Sequence, residues 1–175
     1  RVMSVTGWTH PLVTPNSVID QPYFDGRAES WVWGTWARAW KGMTENDALS
    51  LMKKCEGQGI DIYRYGADLP EMAKIELNQN IWAVRFIYWH IFNKGLCMRP
   101  PWSMVENIGF GRDSTNSKYS SWLKNPPLKI CPSIPVHWPE PVENPECALL
   151  NQRVYGERPS WYSKIIRPLC NRAAS

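Results

Sequence analysis

Strict alternation opens the chain. In "VMSVTG", Val2, Ser4 and Thr6 alternate with Met3, Val5 and Gly7, the period-two pattern of a strand. A strand needs neighbours to pair with. Nothing precedes this one, so the pattern predicts an incomplete α/β unit, the C-terminal part of a larger protein, with an unpaired edge on the Arg1 side. Residues 8–30 carry Pro11, Pro15 and Pro22 and turn signals at Pro15–Asn16 and Asp25–Gly26, which predicts a long ordered loop. "TENDALSLMKKCEGQG" then reads as a helix, N-capped by Thr44 and striped by Ala48, Leu51, Met52 and Cys55. "GIDIYRYG" reads as a short strand. A second helical segment starts at Pro70 and runs through "NIWAVRFIYWHIFNKG" to Gly95, with Trp82, Phe86 and Trp89 on one stripe. "LCMRP" is a strand. From Pro126 to Pro145, both included, there are seven prolines, so this stretch is expected to wrap the surface as extended chain. "ENPECALLNQRVYGE" restarts a helix, with Asn144 as cap and Pro145 in the first turn. The expected organisation is a domain over 1–125, then a Pro-rich wrapping segment and tail over 126–175.

Composition sharpens this picture at one point. The chain has 175 residues and eleven tryptophans, four of them within "WVWGTWARAW" at 31–40. An indole offers a flat apolar face and one N–H donor, which suits a core, an interface or a pocket for a sugar ring. The net charge of +4 is dispersed, so the clustered basic footprint of nucleic-acid binding is missing. The five cysteines form no C-x-x-C pair and no zinc spacing. They are expected to be reduced, structural thiols in a cytoplasmic protein.

Each candidate for chemistry has a plainer reading beside it. Trp40 suits core packing. Trp33, Gly34, Thr35 and Trp36 suit the lining of a pocket, with Gly34 leaving room for a ligand. Arg85 is either a surface arginine covering apolar neighbours or a cation for a phosphate or carboxylate. "ENIGFGRDST" is either a tight connection or a loop that brings backbone N–H groups to an anion. Glu76, Glu106 and Asp113 are candidate general bases, though a lone carboxylate is more often solvated or a cap.

Three segments in order resemble the C-terminal half of bacterial family 2-like glycosyltransferases of the GT-A (nucleotide-diphospho-sugar transferase) fold. "RVMSVTG" is similar to a strand that follows the family's metal-binding Asp-x-Asp segment. "WVWGTWARAW" resembles W-G-W-A-T-W-x-R-A-W, matching at Trp31, Trp33, Thr35, Trp36, Arg38, Ala39 and Trp40, with Val32 in place of a Gly and Gly34 in place of an Ala. "NIWAVRF…NKGLCMRPPWSMVENIGFGRDSTN" resembles D-S-W-A-I-R-W, then G-L-x-x-x-P, then N-I-G-F-x-x-x-x-T-H. The resemblance covers roughly residues 1–116.

It implies a mixed sheet with helices and an inverting transfer of sugar from a nucleotide-diphospho-sugar to a glycan or lipid-linked acceptor, with possible peripheral membrane association through that acceptor. It implies a sugar and acceptor site drawn from Trp33, Gly34, Thr35, Trp36, Arg38, Trp82, Arg85, Asn107, Gly109 and Asp113. Divalent Mg or Mn is implied, held mostly outside this segment, since no D-x-D occurs in the chain; the 175 residues alone are then expected to be inactive. Two positions depart from the pattern. Asn80 stands where the family has an acid, and an amide cannot take a proton. Asn116 stands where a metal-binding histidine is expected. Glu76 or Asp113 takes over from Asn80, or the register slips within "IELNQN", or this copy has lost activity. Glu76 lies at i−4 from Asn80 on a continuous helix. From another class, a non-catalytic carbohydrate-binding or interaction module would use the same tryptophan wall.

Overall fold

The computed structural model describes residues 1–79, 81–106, 128 and 138–157. The elements are β1 (Val2–Thr6), β2 (Tyr23–Asp25), β3 (Trp33–Thr35), α1 (Ala37–Trp40), α2 (Ala48–Gly57), α3 (Asp68–Gln79), α4 (Trp82–Phe92), β4 (Leu96–Arg99) and α5 (Cys147–Tyr155). The fold is α/β, with a small mixed sheet in the order β2-β4-β1-β3.

The first strand is not at an open edge. β1 pairs antiparallel with β3 (Ser4 opposite Thr35, Thr6 opposite Trp33) and parallel with β4 (Ser4 opposite Cys97, Val5 opposite Met98). β2 closes the other side of β4 antiparallel. The expected edge is filled because the chain returns twice: the "WGT" of the tryptophan segment lies along one side of β1 and "LCMR" along the other. A parallel neighbour needs a long crossover, and α2, α3 and α4 supply it.

Helix α4 is the centre of the core. Val84, Phe86, Tyr88 and His90 are wholly buried on it, so it is apolar nearly all round rather than striped, as a helix covered on most sides must be. α2 packs Ala48, Leu51, Met52 and Cys55 against it, the stripe read from the sequence. Its cap is Asp47 rather than Thr44: Asp47 Oδ1 accepts from the Ser50 N–H at 2.7 Å. "GIDIYRYG" forms turns, not a strand: Asp61 Oδ1 accepts from the Tyr63 N–H, and the Asp61 and Tyr63 carbonyls accept from the Arg64 and Gly66 N–H groups, a local bonding that replaces a sheet ladder. The second helical segment is two helices, with Ile81 at the cap of α4 in a non-helical conformation. Glu76 and Trp82 therefore do not share one continuous helix.

α5 begins at Cys147 with Glu146 at its cap, not with Asn144 as cap and Pro145 in the first turn; Asn144 instead closes the preceding turn, its Oδ1 accepting from the Glu146 N–H at 3.0 Å, and the helix is tied to the sheet. Asn151, wholly buried, donates to both oxygens of Asp25 at 3.2 and 3.0 Å. Residues 15–17 are fastened to the start of α5, where Glu146 accepts from the N–H groups of Asn16 and Ser17 and from the Ser17 hydroxyl. Among the described residues no helix is long and apolar enough to cross a membrane.

Candidate functional site

The expected site residues that are described lie on β3, on α1 and its cap, on α3 and on α4. Trp33 lies 5.2 Å from Trp82, 4.9 Å from Phe86 and 5.6 Å from Trp40 between ring centroids. Rings at such spacing and tilt pack favourably, and they join β3 and α1 to α4. Trp89 adds a hydrogen bond from Nε1 to the Ala39 carbonyl at 2.9 Å. The Thr35 hydroxyl donates to the Met3 carbonyl at 2.6 Å, and Arg38 Nη2 to the Val2 carbonyl at 2.9 Å. Trp36 is the open one: it is 42% exposed, with the Arg38 guanidinium 5.1 Å from its ring. Gly34 faces Val5, with room for a methyl at ordinary contact distance. Asn80, Asn107, Gly109, Asp113 and Asn116 lie outside the described residues.

Glu76 is buried, and both of its oxygens are engaged. Oε2 accepts from the Ala48 N–H at 3.2 Å, at the positive end of α2. Oε1 accepts from Arg85 Nε at 3.0 Å and from Arg85 Nη2. Beside it, hydrogen bonds from the backbone and side chain of Ser50 hold the Asp47 carboxyl below its ordinary pKa. Glu76 and Arg85 therefore fasten α3, α4 and the first turn of α2 together.

A second neighbourhood lies at the carboxyl ends of the parallel strands β1 and β4, where ligands bind in open α/β sheets. A crevice of about 190 Å³ is lined there by Thr6, Asp20, Pro22, Met98, Trp102 and Trp138, among others, with Arg99 at its floor. Its walls are mostly apolar, and Trp138 is well exposed. Arg99 is wholly buried, with Nε 3.0 Å from Asp25 and Nη1 3.6 Å from Glu29, and its Nη2 donates to the Arg27 carbonyl at 3.0 Å. Burial works most strongly against its charge, but Asp25, Tyr23, Cys97 and Glu29 together outweigh it and raise the pKa. Because Asp25 balances this charge, Arg99 shapes the crevice without making it an anion site. Next to it, Arg27 pairs with Asp68 at 2.7 Å and lies over the Tyr155 ring at 3.9 Å.

None of Trp33, Gly34, Thr35, Trp36, Arg38, Trp82 or Arg85 lines this crevice. Sequence reasoning missed Asp20, Trp102 and Trp138. Trp102 had a usable signal, since it follows the strand "LCMR" by three residues, where a parallel sheet places its ligands. Asp20 and Trp138 come from distant loops and had none.

The described cysteines Cys55, Cys97 and Cys147 are free and buried. Burial pushes the Cys55 thiol up to about 12 and raises the other two, so they stay protonated and unreactive. Among the described residues no group of three His, Cys, Asp or Glu side chains converges to hold a metal ion. Comparison of the chain with protein-family models, with curated proteins and with solved structures finds no match in any of the three.

Proposed function

We propose that the chain is the acceptor-side part of an inverting glycosyltransferase of the GT-A fold, moving a sugar from a nucleotide-diphospho-sugar to a hydroxyl of a glycan or lipid-linked acceptor at the cytoplasmic side. One observation carries the reading. The segments that resemble the family are neighbours in space, β1 between β3 and β4 with α4 packed beneath, and the parallel pair among them opens onto a tryptophan-walled crevice. Indole faces suit the apolar faces of a sugar ring.

Transfer with inversion needs a carboxylate to take the proton of the attacking hydroxyl. Of the named candidates with described side chains, Glu76 has both oxygens bound by Ala48 and Arg85 and Glu106 is exposed and lies outside the crevice, whereas Asp20, which the structure adds, is exposed and lines the crevice. The reading gives Asp20 the proton and Glu76 the support of Arg85 and α2. Trp102 and Trp138 hold the acceptor ring. The described residues do not fit a divalent cation, so no step is routed through one.

The test uses the protein expressed from its complete reading frame. It is incubated with UDP-, GDP- and dTDP-sugars, Mg or Mn and glycan acceptors, and released nucleoside diphosphate is measured. Acceptor-dependent release that falls by about two to four orders of magnitude in Asp20→Asn supports the reading. No release from any donor rejects it and leaves the carbohydrate-binding module.

A further inference from the structure

The sheet has a second end. Opposite the crevice, at the amino ends of β1 and β4 and past the last residue of the antiparallel β2, lies a pocket of about 260 Å³. Arg1, Arg64 and Lys94 line it together. β1 and β4 are five and four residues long, which sets the two cavities roughly 13–17 Å apart. The occupant of one is therefore not the occupant of the other.

The positive charge of this pocket is only partly cancelled. Its one lining carboxylate, Glu143, is engaged with Arg64: Arg64 Nη2 donates to Glu143 Oε2 at 3.0 Å, and Arg64 Nε donates to the Tyr65 hydroxyl at 3.0 Å. These two bonds fix the guanidinium and leave the rest of its donor fork for a ligand. Gly26 permits the arrangement, because a β-carbon there would collide with the Tyr65 hydroxyl. Arg1 and Lys94 are exposed and take part in no ion pair among the described residues. The remainder of the chain has little to offer them: of its 16 acidic residues, Asp113 alone lies outside the described ones. His90 also lines the pocket, but burial lowers its pKa to about 4, so it is neutral near pH 7. Three cations against one carboxylate leave an excess of two positive charges. The carbonyls at the end of α4, which would repel an anion, are already taken: those of Trp89, His90 and Ile91 accept from the N–H groups of Asn93, Gly95 and Lys94.

Lys94 stands where a lysine is disfavoured. Its φ is +49°, at the position just past a helix that glycine usually takes. A strained residue at the lip of a pocket points to a role beyond the fold. Ile60, Ile91 and Leu96 add apolar wall, which a bare hydrated ion would leave unused. We infer that this pocket binds a small organic phosphate, its dianionic head among Arg1, Arg64 and Lys94 and its apolar body against Ile60 and Ile91. A phosphate monoester carries nearly two negative charges at neutral pH, which matches the excess; a carboxylate carries one. The inference does not rest on the glycosyltransferase reading.

Binding is measured by titration calorimetry near neutral pH on the protein from its complete reading frame, in buffer free of phosphate. Phenyl phosphate is the probe. Phenol supplies the body without charge, benzoate the body with a single charge, and inorganic phosphate the charge without the body. Phenyl phosphate is expected to bind about tenfold or more tightly than each of the three, and to weaken as salt is added. Lys94→Gly relieves the left-handed conformation and should raise Tm by about 2–4 °C while weakening phenyl phosphate about tenfold. Loss of binding in a more stable protein is not an effect of unfolding. Arg1→Gln, at an exposed position, should weaken binding about tenfold as well. The inference is overturned if phenyl phosphate does not bind, if phenol, benzoate or inorganic phosphate binds as tightly, or if either variant binds it as the parent does.

Discussion

Replacing Glu76 by Gln separates a support from a catalyst. The carboxylate joins three helices: Oε2 takes the Ala48 N–H at 3.2 Å and Oε1 takes Arg85. A glutamine has one acceptor and one donor end. If its carbonyl keeps Arg85, its NH2 faces the Ala48 N–H; if it turns, its NH2 faces the guanidinium. Either way one buried donor loses its partner, at about 1–3 kcal/mol. Loss of the negative charge at the start of α2 adds about 0.3–1 kcal/mol. The larger penalty for stranding a fully buried ion does not apply in full, because the Arg85 side chain is 22% exposed and regains water. The sum is about 2–3 kcal/mol, a fall in Tm of roughly 5–10 °C for a domain of this size. Differential scanning calorimetry at neutral pH reads it directly. The matched pair Glu76→Leu with Arg85→Met should recover part of the loss, since removing both partners leaves no orphaned charge. The reasoning is refuted if Glu76→Gln melts within about a degree of the parent. If turnover per folded molecule also fell by about two to four orders of magnitude with Tm unmoved, Glu76 would be the proton acceptor after all.

Val32 has φ of +44°, the left-handed region that costs a β-branched residue about 1–2 kcal/mol. Val32→Gly together with Gly34→Ala should raise stability by about 1 kcal/mol after the entropy of the new glycine is deducted, measured as a higher denaturant midpoint; a lower one refutes the strain. Phe86 offers only a carbonyl to His90 Nδ1 at 2.9 Å, so Nδ1 carries the proton and Nε2 accepts from the Ser4 hydroxyl at 2.9 Å. Burial lowers the His90 pKa to about 4, below its unfolded value of about 6.5. Its stabilising contribution is therefore whole above pH ~6.5 and is lost at about 1.4 kcal/mol per pH unit as pH falls toward the folded pKa. Stability–pH curves of the parent and His90→Gln should diverge in that window, and parallel curves would contradict the assignment. Asn151→Ala removes two hydrogen bonds to the buried Asp25 carboxylate and should cost about 2–3 kcal/mol in chemical denaturation; an effect under about 0.5 kcal/mol would show that α5 is not held by this contact.

Local patterns carried what local physics controls. Alternation in "VMSVT" and the stripe Ala48–Leu51–Met52–Cys55 appear as read, and the last helix is present but starts at Cys147, two residues past Pro145. Such elements follow from periodicity and capping within a few residues. Pairing is a different matter, because it joins residues far apart in the chain. Nothing near Val2–Thr6 says that Trp33–Thr35 and Leu96–Arg99 will flank it, so the strand seemed to have an open edge. The tryptophans show the same limit. Their number called for a wall of indoles, but an indole suits a core and a pocket equally. Only the approach of α4 put Trp33 among Trp40, Trp82 and Phe86. The crevice owes its position to the ends of β1 and β4 lying side by side, and its walls to Asp20, Trp102 and Trp138 arriving from three separate loops. Burial decided the rest: the carboxylate of Glu76, legible as a candidate base, became a clamp once the tertiary structure surrounded it with Arg85 and the amide end of α2.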